Sequence, residues 1–150
     1  MNKEVKIKGI VQILEDGVVV REMENMIMDS PFTDIMDMMR GTSFVVADYE
    51  LEYCAVGNDN ATVTSADTLL GNEIKRVLYA NRYRSGFQNI YEFVFLKADA
   101  NDTLKEIGFF LNGNISIDTG KLWSRVLINP PYVKTSSKEL TIRRVETWQK

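Results

Sequence analysis

The segment NIYEFVFLKA, residues 89–98, shows most clearly the alternation that predicts the fold of this chain. In an extended strand, successive side chains point to opposite faces of the sheet. One face would carry Tyr91, Phe93 and Phe95, and the other would carry Ile90, Glu92, Val94 and Leu96. Because both faces are largely apolar, the segment predicts an inner strand of a β-sheet.

The same two-residue period governs the chain from Thr42 onward, in runs rich in β-branched and aromatic residues. These runs predict strands near 44–56, 73–84, 88–98, 105–112, 121–128 and 137–148. Gly, Asn, Asp and Ser cluster between them, as expected of turns. The pair Pro130-Pro131 predicts a bend or an edge, because proline donates no hydrogen bond to an interior ladder.

The N-terminal part predicts a β-hairpin and then a helix. Residues 4–14 and 18–28 flank a tight turn in which Gly17 supplies the positive φ. With six further strands, this predicts a single domain, residues 1–150, that is mainly β: an antiparallel β-sandwich of seven to eight strands with one short α-helix in its N-terminal half.

The helix is predicted between Ser30 and Gly41, with Ser30 as N-cap and Pro31 at the first helical position. An apolar stripe with helical spacing follows, at Phe32, Ile35, Met36 and Met39. We expect this stripe to pack against the sheet. The alternative is an adaptable, methionine-rich binding surface.

Composition narrows the possible functions. The chain has 150 residues, 18 basic and 21 acidic side chains and a net charge of −3, which indicates neither a nucleic-acid nor a membrane partner. Histidine is absent and Cys54 is the only cysteine, which excludes disulfides within the chain, Cys/His zinc sites and histidine-dependent triads. We expect Cys54 to be a core residue, and we expect no cofactor and no enzymatic activity.

Glu92 and Glu106 could be named as a glycosidase pair, but the sequence does not fix the distance between their carboxylates.

The stretch AVGNDNATVTSADTLLGNEIKR, residues 55–76, has two possible roles. Its oxygen-bearing side chains could bind calcium through Asn58, Asp59, Asn60 and Asp67. Their spacing is not that of an EF-hand, however, and the fixed glycine and distal glutamate are missing. The structural interpretation explains more: Gly57 ends a strand, Thr64 and Asp67 resemble a capping box, and Gly71 closes a one-turn helix. We therefore predict a structural corner.

Three charged residues are predicted to fix this corner. Glu73 and Arg76 begin one strand and Arg125 lies in another, so an ion pair or an arginine that anchors backbone carbonyls is expected. An exposed pair of this kind would contribute at most about 1 kcal/mol.

Aromatic residues are the candidates for an interface. The chain has six tyrosines and two tryptophans, more than a small core absorbs with every polar tip satisfied. The predicted oligomer or partner interface comprises Tyr53, Tyr79, Tyr83, Trp123, Tyr132 and Trp148. The alternative is that these rings lie half-buried on the sheet.

Four segments in order, AVGNDN, TSADTLLGNEIKR, LKEIGFFLNG and LWSRVLINPPYVKTSSKELTI, give the chain a resemblance that covers roughly residues 5–148. Together they resemble the small β-sandwich structural proteins of bacteriophage tails and virions. The chain departs from them in its Asn-Asp-Asn turn, which is usually glycine-rich, and in having no receptor-binding region after residue 150.

The resemblance implies a non-enzymatic virion component, in the tail, collar, baseplate or fibre attachment, that acts as a homo-oligomer. Its partners would be copies of itself and other virion proteins, and it would be made in the host cytoplasm. The alternative is a carbohydrate-binding or receptor-binding module, in which Trp123, Tyr132 and Trp148 would cluster on one exposed concave face.

Overall fold

The computed structural model of the chain describes residues 6–41 and 46–149. The helical elements are α1 (Asp29–Met39) and a 3-10 turn (Val46–Tyr49), and the strands are β1 (Lys6–Glu15), β2 (Val18–Ile27), β3 (Leu51–Gly57), β4 (Glu73–Leu78), β5 (Asn81–Ser85), β6 (Gln88–Phe95), β7 (Thr103–Leu111), β8 (Lys121–Val133) and β9 (Leu140–Gln149). All strand pairs are antiparallel. The prediction of a mainly β, antiparallel fold with one α-helix is confirmed.

The strands form one continuous sheet, in the order β4-β3-β7-β8-β2-β1-β9-β6-β5, which curls as a half-barrel. One half of the sheet comprises β4, β3, β7 and β8, and the other comprises β2, β1, β9, β6 and β5. The two halves face each other as the layers of a sandwich do, but they are joined where Met26 and Ile27 of β2 pair with β8. The described residues contain nine strands because the predicted strand 73–84 bends. At the bend, the amide of Tyr79 bonds to Glu52 in one half and the amide of Ala80 bonds to Glu92 in the other.

The core lies between the two halves. The rings of Phe93, from β6, and Phe109, from β7, meet there with centroids 5.6 Å apart. Phe93 and Phe95 are fully buried, whereas Ile90 and Val94 on the other face are only partly buried. The alternating pattern of residues 89–98 thus divides between an inner and an outer face. Cys54 is fully buried in the same core, as expected.

Two strand boundaries differ most from their predicted positions. β3 begins at Leu51, because residues 46–49 form the 3-10 turn; residues 44–45 of the predicted strand lie outside the described residues. β8 runs on to Val133, through Pro130 and Pro131. The ladder between β7 and β8 shifts register there, since Glu106 pairs with Leu127 but Leu104 pairs with Tyr132. The predicted proline bend is therefore a bulge within a long strand.

Helix α1 begins earlier than predicted. Its N-cap is Met28, which makes no side-chain cap bond, so the prediction of Ser30 as N-cap was wrong. Backbone contacts take the place of a cap, since the amide of Met28 donates to Trp123 and the amide of Asp29 donates to Ser65. The end was predicted correctly: Gly41 has a φ of +85° and its amide bonds to Met38.

The apolar stripe of α1 does not pack against the sheet, contrary to our expectation. Phe32, Met36 and Met39 are 47%, 56% and 81% exposed, and of the four stripe residues only Ile35 packs against the core. No helix among residues 6–41 and 46–149 combines the length and hydropathy needed to cross a bilayer.

Candidate functional site

An apolar groove separates α1 from one end of the sheet. It has a volume of about 490 Å³ and is lined by Ile7, Ile27, Met28, Asp29, Phe32, Ile35, Met36, Met39 and Trp148. Ile7 and Trp148 are cross-strand partners on β1 and β9, so they form the wall opposite the helix. Asp29 is the one charged residue in this lining. We call these nine residues the α1 groove.

Two polar contacts hold α1 in place, one from Asp29 at the N-terminal end of the groove and one from Asp34 on the opposite face of the helix. The carboxylate of Asp29 accepts a hydrogen bond of 2.7 Å from the hydroxyl of Ser65. Asp34 forms an ion pair with Lys121, at the start of β8. Neither contact uses a side chain of the apolar stripe, so the stripe remains available on the side that faces the groove.

A smaller cleft of about 160 Å³ adjoins the groove and shares Ile35 and Trp148 with it. One buried carboxylate, that of Glu146, organises this cleft. It accepts hydrogen bonds from the indole of Trp123 at 2.8 Å, from the indole of Trp148 at 2.9 Å and from Arg144 at 2.9 Å. These bonds fix the ring of Trp148 as a rigid part of the groove wall.

The cleft offers few groups for chemistry. Burial raises the pKa of Tyr91, which lines it, so that hydroxyl stays protonated at neutral pH. Within residues 6–41 and 46–149, no group of three or more Cys, Asp or Glu side chains is placed to hold a metal ion. The groove and cleft together are suited to binding apolar surface, which is the usual role of an exposed apolar patch.

Two of the predicted interface aromatics are buried within their own chain. Trp123 is 4% exposed and Tyr132 is 6% exposed, so neither ring is available at the surface. The hydroxyl of Tyr132 donates to the carboxylate of Glu15, which satisfies its polar tip. The three rings named for carbohydrate binding therefore form no exposed platform, since Trp148 is the only accessible one of the three.

The other predicted aromatics lie at or near the surface. Trp148, 37% exposed, lies in the α1 groove, and Tyr83, 46% exposed, lies on β5 at an end of the sheet. Tyr53 and Tyr79 are half-buried. The guanidinium of Arg82 covers the ring of Tyr79, with its carbon 4.2 Å from the ring centroid. Trp148 is thus the only member of the predicted interface set that lines the α1 groove.

The predicted corner contains a buried ion-pair network centred on Arg125. Its Nε and Nη2 atoms lie 2.9 and 2.8 Å from Glu106, and its Nη1 atom lies 2.8 Å from Asp67. Asp67 also accepts hydrogen bonds from the amide and hydroxyl of Thr64, and the bond from the amide is the carboxylate half of a capping box. The turn at residues 65–66 does not continue into the predicted helix.

Glu106 connects this network to the loop that precedes β4. Its carboxylate accepts hydrogen bonds from the amides of Gly71 and Asn72 at 3.0 and 2.9 Å. A Cβ atom on Gly57 would lie 2.3 Å from Glu106 Oε1, and one on Gly71 would lie 2.6 Å from Asp59. Glycine is therefore required at both positions, because any larger residue would clash with these neighbouring groups. Sequence reasoning named Glu106 only as a glycosidase candidate, because it did not predict that this acid is buried against an arginine.

Glu73 and Arg76 form a second, separate buried pair. Two bonds of 2.6 and 2.8 Å join their side chains, which are fully buried, and the guanidinium lies over the ring of Phe110 at 4.4 Å. Arg76 Nη1 also donates to the carbonyl of Thr119 at 2.7 Å, and Glu73 accepts from the amide of Asp118 at 3.1 Å. From the sequence, we had expected Arg125 to belong with this pair and the ion pair to be exposed. Arg125 instead pairs with Glu106 and Asp67.

Three of the four side chains considered for calcium, all except Asn60, are engaged by the protein itself. Asn58 donates to Asp102 at 3.0 Å, and Asp59 accepts from the amide of Ala61 at 2.6 Å. Asp67 is held by Arg125. These contacts assign the three side chains to the folding of the loop.

Comparison of the chain with protein-family models, with curated proteins and with solved structures finds no match.

Proposed function

We propose that this protein is a non-enzymatic structural subunit that functions as a homo-oligomer and uses the α1 groove as its assembly surface. The sequence resemblance suggests that the assembly is part of a bacteriophage virion. Its location would then be the virion, with other virion proteins as further partners.

The observation that carries this proposal is the exposure of the apolar stripe. Met36 and Met39 are more than half exposed, and the groove beside them is lined almost entirely by apolar side chains. Leaving such a surface in water has a cost of about 25 cal/mol for each Å² of apolar area that could be buried. A binding partner would remove that cost, and methionine side chains adapt readily to a partner's shape.

The state of the buried charges supports a structural role over a catalytic one. Arg125 is surrounded by Glu106, Asp67 and a backbone carbonyl, and Arg76 by Glu73 and Thr119. Groups that are buried and paired in this way hold loops to the sheet, and neither arginine lines the groove or the cleft, where a reactive group would have to lie. The one buried carboxylate that lines the cleft, that of Glu146, is engaged by Trp123, Trp148 and Arg144.

Two measurements test the proposal. Sedimentation equilibrium of the purified chain at high micromolar concentration should give a mass larger than that of one chain. Mass spectrometry of purified phage particles from cells that express the gene should detect the chain within the particle. A chain that stays monomeric at this concentration would refute the proposed homo-oligomeric role, and its absence from particles would refute the proposed location.

A further inference from the structure

The occupant of the α1 groove can be inferred from the helix that forms one side of it. We infer that the groove receives the apolar stripe side chains of helix α1 from a second copy, so that two α1 helices pair antiparallel about a two-fold axis. This inference rests on the proposed homo-oligomeric function and specifies its contact. In a two-fold contact, each copy presents the same patch and occupies the other's groove.

The residue spacing of the apolar stripe is the same in both chain directions. Phe32 and Met39 are its outer positions and Ile35 and Met36 are its inner positions. In an antiparallel pair, Phe32 of one copy would lie near Met39 of the other and Met36 would lie nearest the axis, while Ile35 stays packed against the core of its own chain. A stripe with this spacing can pack ridges into grooves against an identical stripe.

Charges at the helix ends are complementary in this arrangement. Asp29 lies at the N-terminal end of α1 and lines the groove, and Arg40 follows the C-terminal end. Arg40 now pairs with Asp37 at the surface, where both side chains are more than half exposed. An antiparallel neighbour would bring its own Arg40 beside Asp29, and the two helix dipoles would also oppose each other favourably. A parallel pair would instead place the two Asp29 side chains together and the two Arg40 side chains together, which would be repulsive.

The first test replaces a stripe residue with a charged one. Met36→Glu would bury a carboxylate in the apolar contact and should raise the dissociation constant at least about tenfold. Leu96→Glu is the matched control, because Leu96 is 57% exposed, against 56% for Met36, and lies after β6, away from the groove. Circular dichroism should show that both variants are folded.

The second test reverses the charges. Asp29→Arg and Arg40→Asp should each weaken association, and the double variant should restore it, because the pair across the two-fold axis is then re-formed with opposite signs. A purely structural role of either residue within its own chain predicts that the two defects add. Asp29→Arg also removes the hydrogen bond from Ser65, and Ser65→Ala measures that loss alone. A double variant that associates no better than the single variants, while Ser65→Ala associates like the wild type, would overturn the inference.

A small apolar probe distinguishes an occupied groove from an empty one. Neutral N-phenyl-1-naphthylamine should bind monomeric Met36→Glu but not the wild-type assembly, where the groove is filled. Equal binding to both would contradict the inference.

The outcomes separate the inference from the proposed function. A wild-type assembly that Met36→Glu leaves intact, or one with an odd number of chains related by simple rotation, overturns the helix pairing but retains the structural role. A wild-type monomer at high micromolar concentration removes the proposed function and the inference together.

Discussion

The guanidinium of Arg125 lies 2.8 Å from the carboxylate of Glu106, and the two side chains are 3% and 0% exposed. Arg125 is on β8 and Glu106 is on the neighbouring β7. Because Glu106 also binds the amides of Gly71 and Asn72, one buried pair joins two strands to the loop before β4. This contact explains why a polar 15-residue loop, residues 58–72, has a defined path.

Removing the arginine should be strongly destabilising. Arg125→Met leaves the Glu106 carboxylate buried without its cationic partner, and we expect a loss of about 3–5 kcal/mol in the free energy of unfolding. Urea denaturation followed by circular dichroism measures it. Glu24→Gln is the control, because Glu24 and its partner Lys8 are exposed, and its urea midpoint should not change. An equal, small effect of both variants would show that the network contributes nothing to stability.

Acid should weaken the same corner. Partial burial acts to raise the pKa of Asp67, but the hydrogen bonds from Arg125 and Thr64 outweigh it and hold that pKa below its ordinary value. A carboxyl whose folded-state pKa is lowered contributes stability above its unfolded pKa of about 3.9, and the contribution is lost as pH falls through the folded-state value. The urea concentration at the unfolding midpoint should therefore decrease as the pH is lowered below about 4.

Asp67→Asn should make this pH dependence shallower without abolishing it. The pKa of Glu15 is also lowered, by its hydrogen bonds with Tyr132 and Lys138, so a second group titrates in the same direction. A midpoint profile identical in the wild type and in Asp67→Asn would argue against the Arg125–Asp67 contact.

A methyl group at position 57 should not be accommodated. The Cβ atom of Gly57→Ala would lie 2.3 Å from Glu106 Oε1 and 2.5 Å from the carbonyl of Asn72, so either the loop or the buried carboxylate must move. Overpacking of this kind costs about 1–3 kcal/mol, which urea denaturation would detect. A variant as stable as the wild type would mean that the loop is not seated against Gly57.

Cys54 should report unfolding of the whole core. Burial raises the pKa of its thiol well above the ordinary value, so the nucleophilic thiolate is scarce as well as inaccessible. We expect no reaction with Ellman's reagent in buffer and complete reaction in urea, with the change at the unfolding midpoint. Rapid labelling of the native protein would contradict the burial of β3.

Period-two patterning was sufficient to predict the antiparallel β fold, because side-chain alternation is a local property of each strand. The bend at Tyr79–Ala80 was not predicted, since it depends on hydrogen bonds to two distant strands, at Glu52 and Glu92. The same limit applies to β2, whose last residues pair with β8. Sequence thus predicted the strands, while non-local contacts determined how they join into one curled sheet.

The candidate site was predicted only in part. The stripe on α1 is visible in the sequence, but its exposure depends on where the helix is anchored, through Asp29 and Asp34, and no periodic signal contains that information. Trp148 was named from composition. Trp123 was named for the same reason and is buried, because composition cannot distinguish an inward from an outward position of an aromatic ring.

Native mass spectrometry of the wild-type protein beside Met36→Glu tests whether this chain assembles through α1. At high micromolar concentration we expect an even multiple of 17.2 kDa for the wild type and 17.2 kDa alone for the variant. A wild-type protein observed only at 17.2 kDa would contradict the claim that this chain is an assembly subunit.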